Sequence, residues 1–178
     1  MNNSQRSGKG EMQHRELRIH DIIIKHPHDW RISMKNLALP QEGDIDLLGS
    51  GKNQIAVSLS WKPLSRYTHR FPTVDDYSRH VIKNFEKEKR FSHFRVISQD
   101  SLKLKGHPAV QLHLRFQMKT GTFRRVTQMI DRVNLFTYCP KMNRAVIVFV
   151  SLSTAAYEEE KELVREIVDS IRCHRDNS

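Results

Sequence analysis

Hydrophobic and polar positions alternate most clearly between Val110 and Met118. Val110, Leu112, Leu114, Phe116 and Met118 are separated there by Gln111, His113, Arg115 and Gln117. Successive side chains of a strand point to opposite faces, so a period of two predicts a half-buried strand. The same period marks Ile55, Val57, Leu59 and Trp61, with Ala56, Ser58 and Ser60 on the other face. Two segments change to helical spacing. Val74, Tyr77, Val81, Ile82 and Phe85 form one stripe, preceded by Thr73 as N-cap with Asp76 three residues on, a variant capping box. Leu163, Val164, Ile167, Val168 and Ile171 form the other. Its first turns carry Glu158, Glu159, Glu160 and Glu162, where the helix dipole favours acids. Helices are therefore expected over 74–90 and 155–172.

Weaker patterns fill the rest. Ile19–Lys25 reads as one strand ended by His26-Pro27, since proline cannot continue a ladder. Trp30, Ile32 and Met34 alternate in a second. Pro40–Gly43 is a turn, and Asp44–Leu48 a short strand. Residues 63–72 read as a loop. Phe94–Ser98 and Ser101–Lys105 read as two short strands before a turn at Gly106-His107-Pro108. Thr120-Gly121-Thr122 reads as a hairpin turn. The strand after it, over 123–138, slips its alternation near Asp131, which predicts a bulge. Cys139–Asn143 is a turn. Arg144–Ser151 is nearly all apolar, as a central strand covered on both faces would be.

Three long consecutive strands joined by tight turns predict an antiparallel meander. With one helix before it and one after, the fold class is α+β, a three-layer α/β/α sandwich around a mainly antiparallel sheet. Phe85, Leu112, Leu114, Phe116, Ile147, Phe149, Val164 and Ile167 are the expected core. The expected organisation is a disordered tail over 1–16, one domain over 17–173 and a polar tail over 174–178.

A chain of 178 residues is long enough to bury a self-sufficient core as one domain. Its longest apolar run, Ala145–Val150, is far short of the ~20 residues that span a bilayer. The first residues lack the apolar stretch of a signal peptide. A cytoplasmic location follows as an expectation, with Cys139 and Cys173 as reduced thiols. The formal net charge of +10 predicts attraction to polyanions: nucleic acid, anionic membrane or an acidic protein face.

Several short elements occur in a telling order. Pro27-His28-Asp29-Trp30 follows an apolar strand. Phe71-Pro72-Thr73 leads into Asp75-Asp76-Tyr77. Leu104-Lys105-Gly106-His107-Pro108-Ala109 opens the meander, and Tyr157, Ile167 and Ser170-Ile171 mark the closing helix. Over roughly residues 19–172 this order resembles the PsbP family, extrinsic proteins of the oxygen-evolving photosystem. That fold is shared by a yeast Ran-binding nuclear-import release factor and by small bacterial DcrB-type proteins. The resemblance implies a non-catalytic accessory or partner-binding protein.

No motif carries identifiable catalysis, and no cofactor is expected. His26 and His28 have the i,i+2 spacing that sets two imidazoles on one strand face, with His20 upstream, but Pro27 lies between them and no third ligand is marked. His107 and His113 have the same shortage. Cys173-His174 sits where a helix end frays, and Cys139 sits beside a proline in a turn with no activating neighbour in sequence. Gly49-Ser50-Gly51-Lys52 lacks phosphate-loop spacing. The acids Asp75-Asp76 and Glu158-Glu159-Glu160 are explained by helix starts. The strongest lead is basic. Residues 101–130 hold Lys103, Lys105, Arg115, Lys119, Arg124 and Arg125 and no Asp or Glu. From Glu158 to Asp169, by contrast, six acids face two bases. The basic hairpin is thus the expected contact for an acidic protein partner. The alternative is nonspecific nucleic-acid binding through the same face, although only Phe123 is placed to stack on a base.

Overall fold

The computed structural model describes residues 13–50, 52–120 and 126–175. The chain forms β1 (His14–Ile19), β2 (Ile22–Pro27), β3 (Arg31–Leu39), β4 (Glu42–Leu48) and β5 (Ala56–Pro63), then a short α1 (Ser65–Thr68) and α2 (Val74–Lys87). It continues through β6 (Phe91–Leu104), β7 (His107–Thr120), β8 (Val126–Cys139), β9 (Arg144–Ser153) and α3 (Thr154–Ser170). β1 and β2 make a separate hairpin. The other seven strands form one sheet in the order β3-β4-β5-β9-β8-β7-β6, every pair antiparallel. β9 lies at its centre, as the apolar run there requires.

Alternate residues of the central strands divide between two hydrophobic clusters. Val133 and Leu135 of β8 and Val146, Val148 and Val150 of β9 pack with Leu163, Val164, Ile167 and Val168 of α3. The intervening Phe136, Tyr138, Ala145 and Ile147 join Val110, Leu112, Leu114 and Phe116 of β7, with Tyr77, Val81, Ile82 and Phe85 of α2 packed against them. The apolar face of β7 therefore looks toward α2, and its polar face toward α3. Both helices start where the sequence places them. Thr73 accepts a hydrogen bond from the Asp76 amide, and the Asp76 carboxylate accepts one from the Thr73 amide, a complete capping box. Ser153 caps α3 by accepting from the Ala156 amide.

Seven details differ from expectation. The strand expected over Ile19–Lys25 is broken by a tight turn at His20 and Asp21, both with positive φ (44° and 66°), as a two-residue hairpin turn demands. Its first strand begins at His14, inside the segment expected to be a tail. β6 is one 14-residue strand, not two, kept continuous by register shifts between Ser92 and Arg95 and between Val96 and Ser98. α2 ends at Lys87, because Glu88 is already extended. The 63–72 segment contains the single turn α1. The bulge expected near Asp131 is absent, since the β7–β8 and β8–β9 registers run past it without a shift. Of the expected core, Leu112, Leu114, Phe116, Ile147, Val164 and Ile167 are buried, while Phe85 and Phe149 are only half-buried. Phe149 instead carries the Arg132 guanidinium on its ring face at 4.0 Å.

Candidate functional site

The interrupted alternation at Asp131 has a chemical cause. Asp131 lies on the α3 side of β8 and is fully buried. Pairing across the strands sets it beside Arg115, with His113 next on the same face of β7. Its carboxylate accepts from the Arg115 Nε at 3.0 and 3.1 Å and lies 2.5 Å from the His113 Nε2. Arg115 also reaches Glu158 of α3 at 3.5 Å, and the Tyr157 ring covers His113 at 4.6 Å between centroids. The polar face of β7 is thus roofed by the last helix, and Arg115 is spent on its own carboxylates. A buried carboxylate needs such partners to offset its desolvation.

The remaining basic residues separate into two groups. Lys103 and Lys105 are exposed at the β6–β7 turn, and Lys119 is exposed at the far end of β7. The strand residues His107–Met118 divide Lys105 from Lys119, roughly 40 Å at ~3.3 Å per residue. Arg124 and Arg125, with the Thr120-Gly121-Thr122 turn, lie at or beyond the limit of the described residues. The four cations among the described residues, Lys103, Lys105, Arg115 and Lys119, therefore do not converge on one patch.

The structure does converge four residues that look unremarkable in sequence. Ala109 pairs with Thr137, and that register runs on to set His107 opposite Cys139, which in turn pairs with Arg144 of β9. Opposed residues share a sheet face, so three polar side chains stand in a row at one end of the α3 side. The chain after α3 crosses over them. Arg172 and Ile23 exchange backbone hydrogen bonds of 2.9 and 3.0 Å, which fixes the segment rather than letting it fray. Cys173 and His174 are consequently buried, although 174 was expected to begin a tail. The sulfurs of Cys139 and Cys173 lie 3.5 and 3.4 Å from the His174 Nδ1. One donor atom from each of His107, Cys139, Cys173 and His174 lies within 4.8 Å of the others. The His107 Nε2 is buried without a hydrogen-bond partner. Both thiols are unbridged. A hydrogen bond from the Cys173 thiol draws the Cys139 thiol down, and the same contact with burial pushes Cys173 up. Arg144 is buried beside them and donates to the Cys173 carbonyl at 2.8 Å.

Other candidates do not assemble. His26 is buried with its Nδ1 2.7 Å from the Pro27 carbonyl, whereas His28 is exposed. A cleft of about 620 Å³ lies between Pro27–Trp30, Gly49–Ser50 and the first half of α3. Its polar groups bond one another: Ser50 donates to Asp29, and Asn53 to Glu159 and Glu160.

No family profile matches the chain, and no curated protein does. Solved structures do. Cyanobacterial PsbP (CyanoP) from Synechocystis sp. PCC 6803 superposes with a TM-score of 0.61 at 13% identity, covering 93% of this chain and 95% of that one. A Pseudomonas aeruginosa protein described as a putative regulator, PA94, gives 0.57 at 16% identity, over 92% and 99%. The Saccharomyces cerevisiae Ran-binding protein Mog1p gives 0.57 at 9% identity, over 90% and 95%. The chain has the PsbP-like fold, and this fold serves proteins of varied function.

Proposed function

We propose that this chain is a non-catalytic accessory protein that binds an acidic protein partner, and that the open edge of β6 is the contact. The α/β/α layering, supported by the two clusters on alternate strand residues, leaves β6 at the end of the sheet, where among the described residues it pairs only with β7. The observation that carries the reading is the coincidence of that open edge with basic charge. From Lys83 to Lys105 the chain holds seven Lys or Arg against three Asp or Glu. Val96 and Ile97 are exposed in the same strand. The register shifts twist the first half of β6, which blunts it for pairing. Ser98–Leu104 pairs regularly with β7, so its outer edge is the part able to accept an added strand. The occupant that fits is an extended acidic segment, held by backbone bonds and steered by Arg95, Lys103 and Lys105. A Ran-binding protein of the same fold supports partner binding as a role such a scaffold can take.

Charge reversal tests this. Arg95→Glu with Lys103→Glu is expected to weaken binding of a poly-glutamate peptide at least tenfold. Both sites are exposed, so stability should change by no more than about 0.5 kcal/mol per site. Arg124→Glu with Arg125→Glu probes the hairpin end, and Lys119→Glu its described flank. If only those variants lose the peptide, the contact is at the hairpin and not at β6. Tight binding of random-sequence DNA with a steep salt dependence, lost in the same variants, would replace the protein partner with nucleic acid.

A further inference from the structure

We propose that His107, Cys139, Cys173 and His174 form a closed tetrahedral site for one zinc ion, which fastens the C-terminal segment to the end of the sheet. The donor set is two sulfurs and two imidazoles, the composition that structural zinc sites use. The spacing fits. Ligands at ~2.3 Å for sulfur and ~2.05 Å for nitrogen stand about 3.6 Å apart in a tetrahedral shell. The two sulfurs lie 3.5 and 3.4 Å from the His174 Nδ1. All four donors fall within 4.8 Å, so a small contraction closes the shell.

Hydrogen bonding alone leaves this arrangement incomplete. One imidazole nitrogen carries one hydrogen or one lone pair, yet two sulfurs flank the same Nδ1. The His107 Nε2 is buried with no partner, and an unsatisfied buried polar atom is costly. A metal accounts for these features together. The setting also favours thiolates, since the buried Arg144 guanidinium lies against the Cys173 carbonyl beside them. Loading zinc would release the thiol protons to solvent and leave the metal with its four ligands neutral.

The site is built by topology. His107 opens β7, Cys139 closes β8, and Cys173 and His174 follow α3. The metal would therefore join the meander to the last segment of the chain, beyond the backbone bridge between Ile23 and Arg172. All four coordination positions come from the protein and the site is buried, so it fits a structural ion and offers no place for substrate. It is independent of the β6 edge.

The test uses the untagged full chain, purified under reducing conditions without chelator. Elemental analysis should find one zinc per chain. After chelation, cobalt(II) should restore a complex with the visible bands of tetrahedral cobalt and the near-ultraviolet thiolate charge-transfer band. His107→Gln should keep thiolate ligation but shift the cobalt spectrum, and Cys173→Ser should reduce the charge-transfer intensity. Chelating the wild type should lower Tm by roughly 10 °C, and zinc should restore it. The cobalt spectrum of the wild type decides the matter even where a variant fails to fold. Absence of that spectrum in reduced protein reloaded with excess metal overturns the proposal. So does a native Cys139–Cys173 disulfide, or a Tm indifferent to chelation and zinc.

Discussion

Phe136→Ala is expected to destabilise the protein by about 4 kcal/mol, the usual scale for emptying a fully buried phenylalanine site. Phe136 is completely buried at the middle of β8. The edge of one ring meets the other where it contacts Tyr77 of α2, with centroids 5.1 Å apart, and Phe149 of β9 stands 6.3 Å away on its other flank. Truncation removes the contact between the sheet and α2 at its centre, and neither neighbour is free to collapse into the space. The matched control is Phe149→Ala. Phe149 is half-buried and covered on one side by the Arg132 guanidinium rather than by apolar side chains, so its loss should cost roughly 2 kcal/mol. Urea unfolding of both variants measures the difference. Equal losses would mean that the two rings are equally enclosed and that Phe149 is as fully packed as Phe136.

Asp131→Ala should cost about 3 kcal/mol, by leaving cations at a desolvated site without their carboxylate. The figure is set at the low end because the Arg115 side chain is 28% exposed and retains Glu158. Arg115→Ala is the harsher test of the carboxylate itself, since Asp131 would keep only His113. Replacing Asp131, Arg115 and His113 together by Leu, Met and Leu should recover much of the loss, because a well-packed apolar cluster often matches a buried ion pair. If Asp131→Ala unfolds at the wild-type urea concentration, water reaches the carboxylate and α3 does not roof this face.

These residues also show where a sequence stops being readable. α2 and β7 were legible because each states its period over many residues and because Thr73 and Asp76 form their cap locally. β9 was legible as central because it is apolar on both faces. The hairpin at His20-Asp21 was not, since it lacks the glycine or asparagine that usually marks such a turn. β6 was divided in two because its register shifts interrupt the alternation. At Asp131 the charge was taken for a disturbance of the strand. Its partners sit on the adjacent strand, sixteen and eighteen residues earlier in the chain, and only the pairing brings them together.

The Cys and His cluster was hidden for the same reason at longer range. Cys139 and Cys173 are separated by a whole strand and a whole helix, with none of the close ligand pairs by which zinc sites are usually recognised. The one available signal was the adjacent Cys173-His174, and it was discounted because helix ends fray. The backbone bridge from Arg172 to Ile23 is what holds it in place. The basic run had the opposite fate. Six cations close in sequence were read as one surface, but a strand 14 residues long carries its ends far apart, and the cation at its middle is claimed by Asp131 and Glu158.

The reading of this chain as a partner-binding scaffold rests on the β6 edge, and amide chemical-shift mapping tests it most directly. Labelled protein would be titrated with an extended acidic peptide at moderate salt. The account predicts shifts and new exchange protection in the amides of Ser98–Leu104, extending to Arg95, with α3 and the Asp131 network unmoved. Shifts confined to the Lys119 end of β7, or no saturable change in β6 at any peptide concentration, would contradict it.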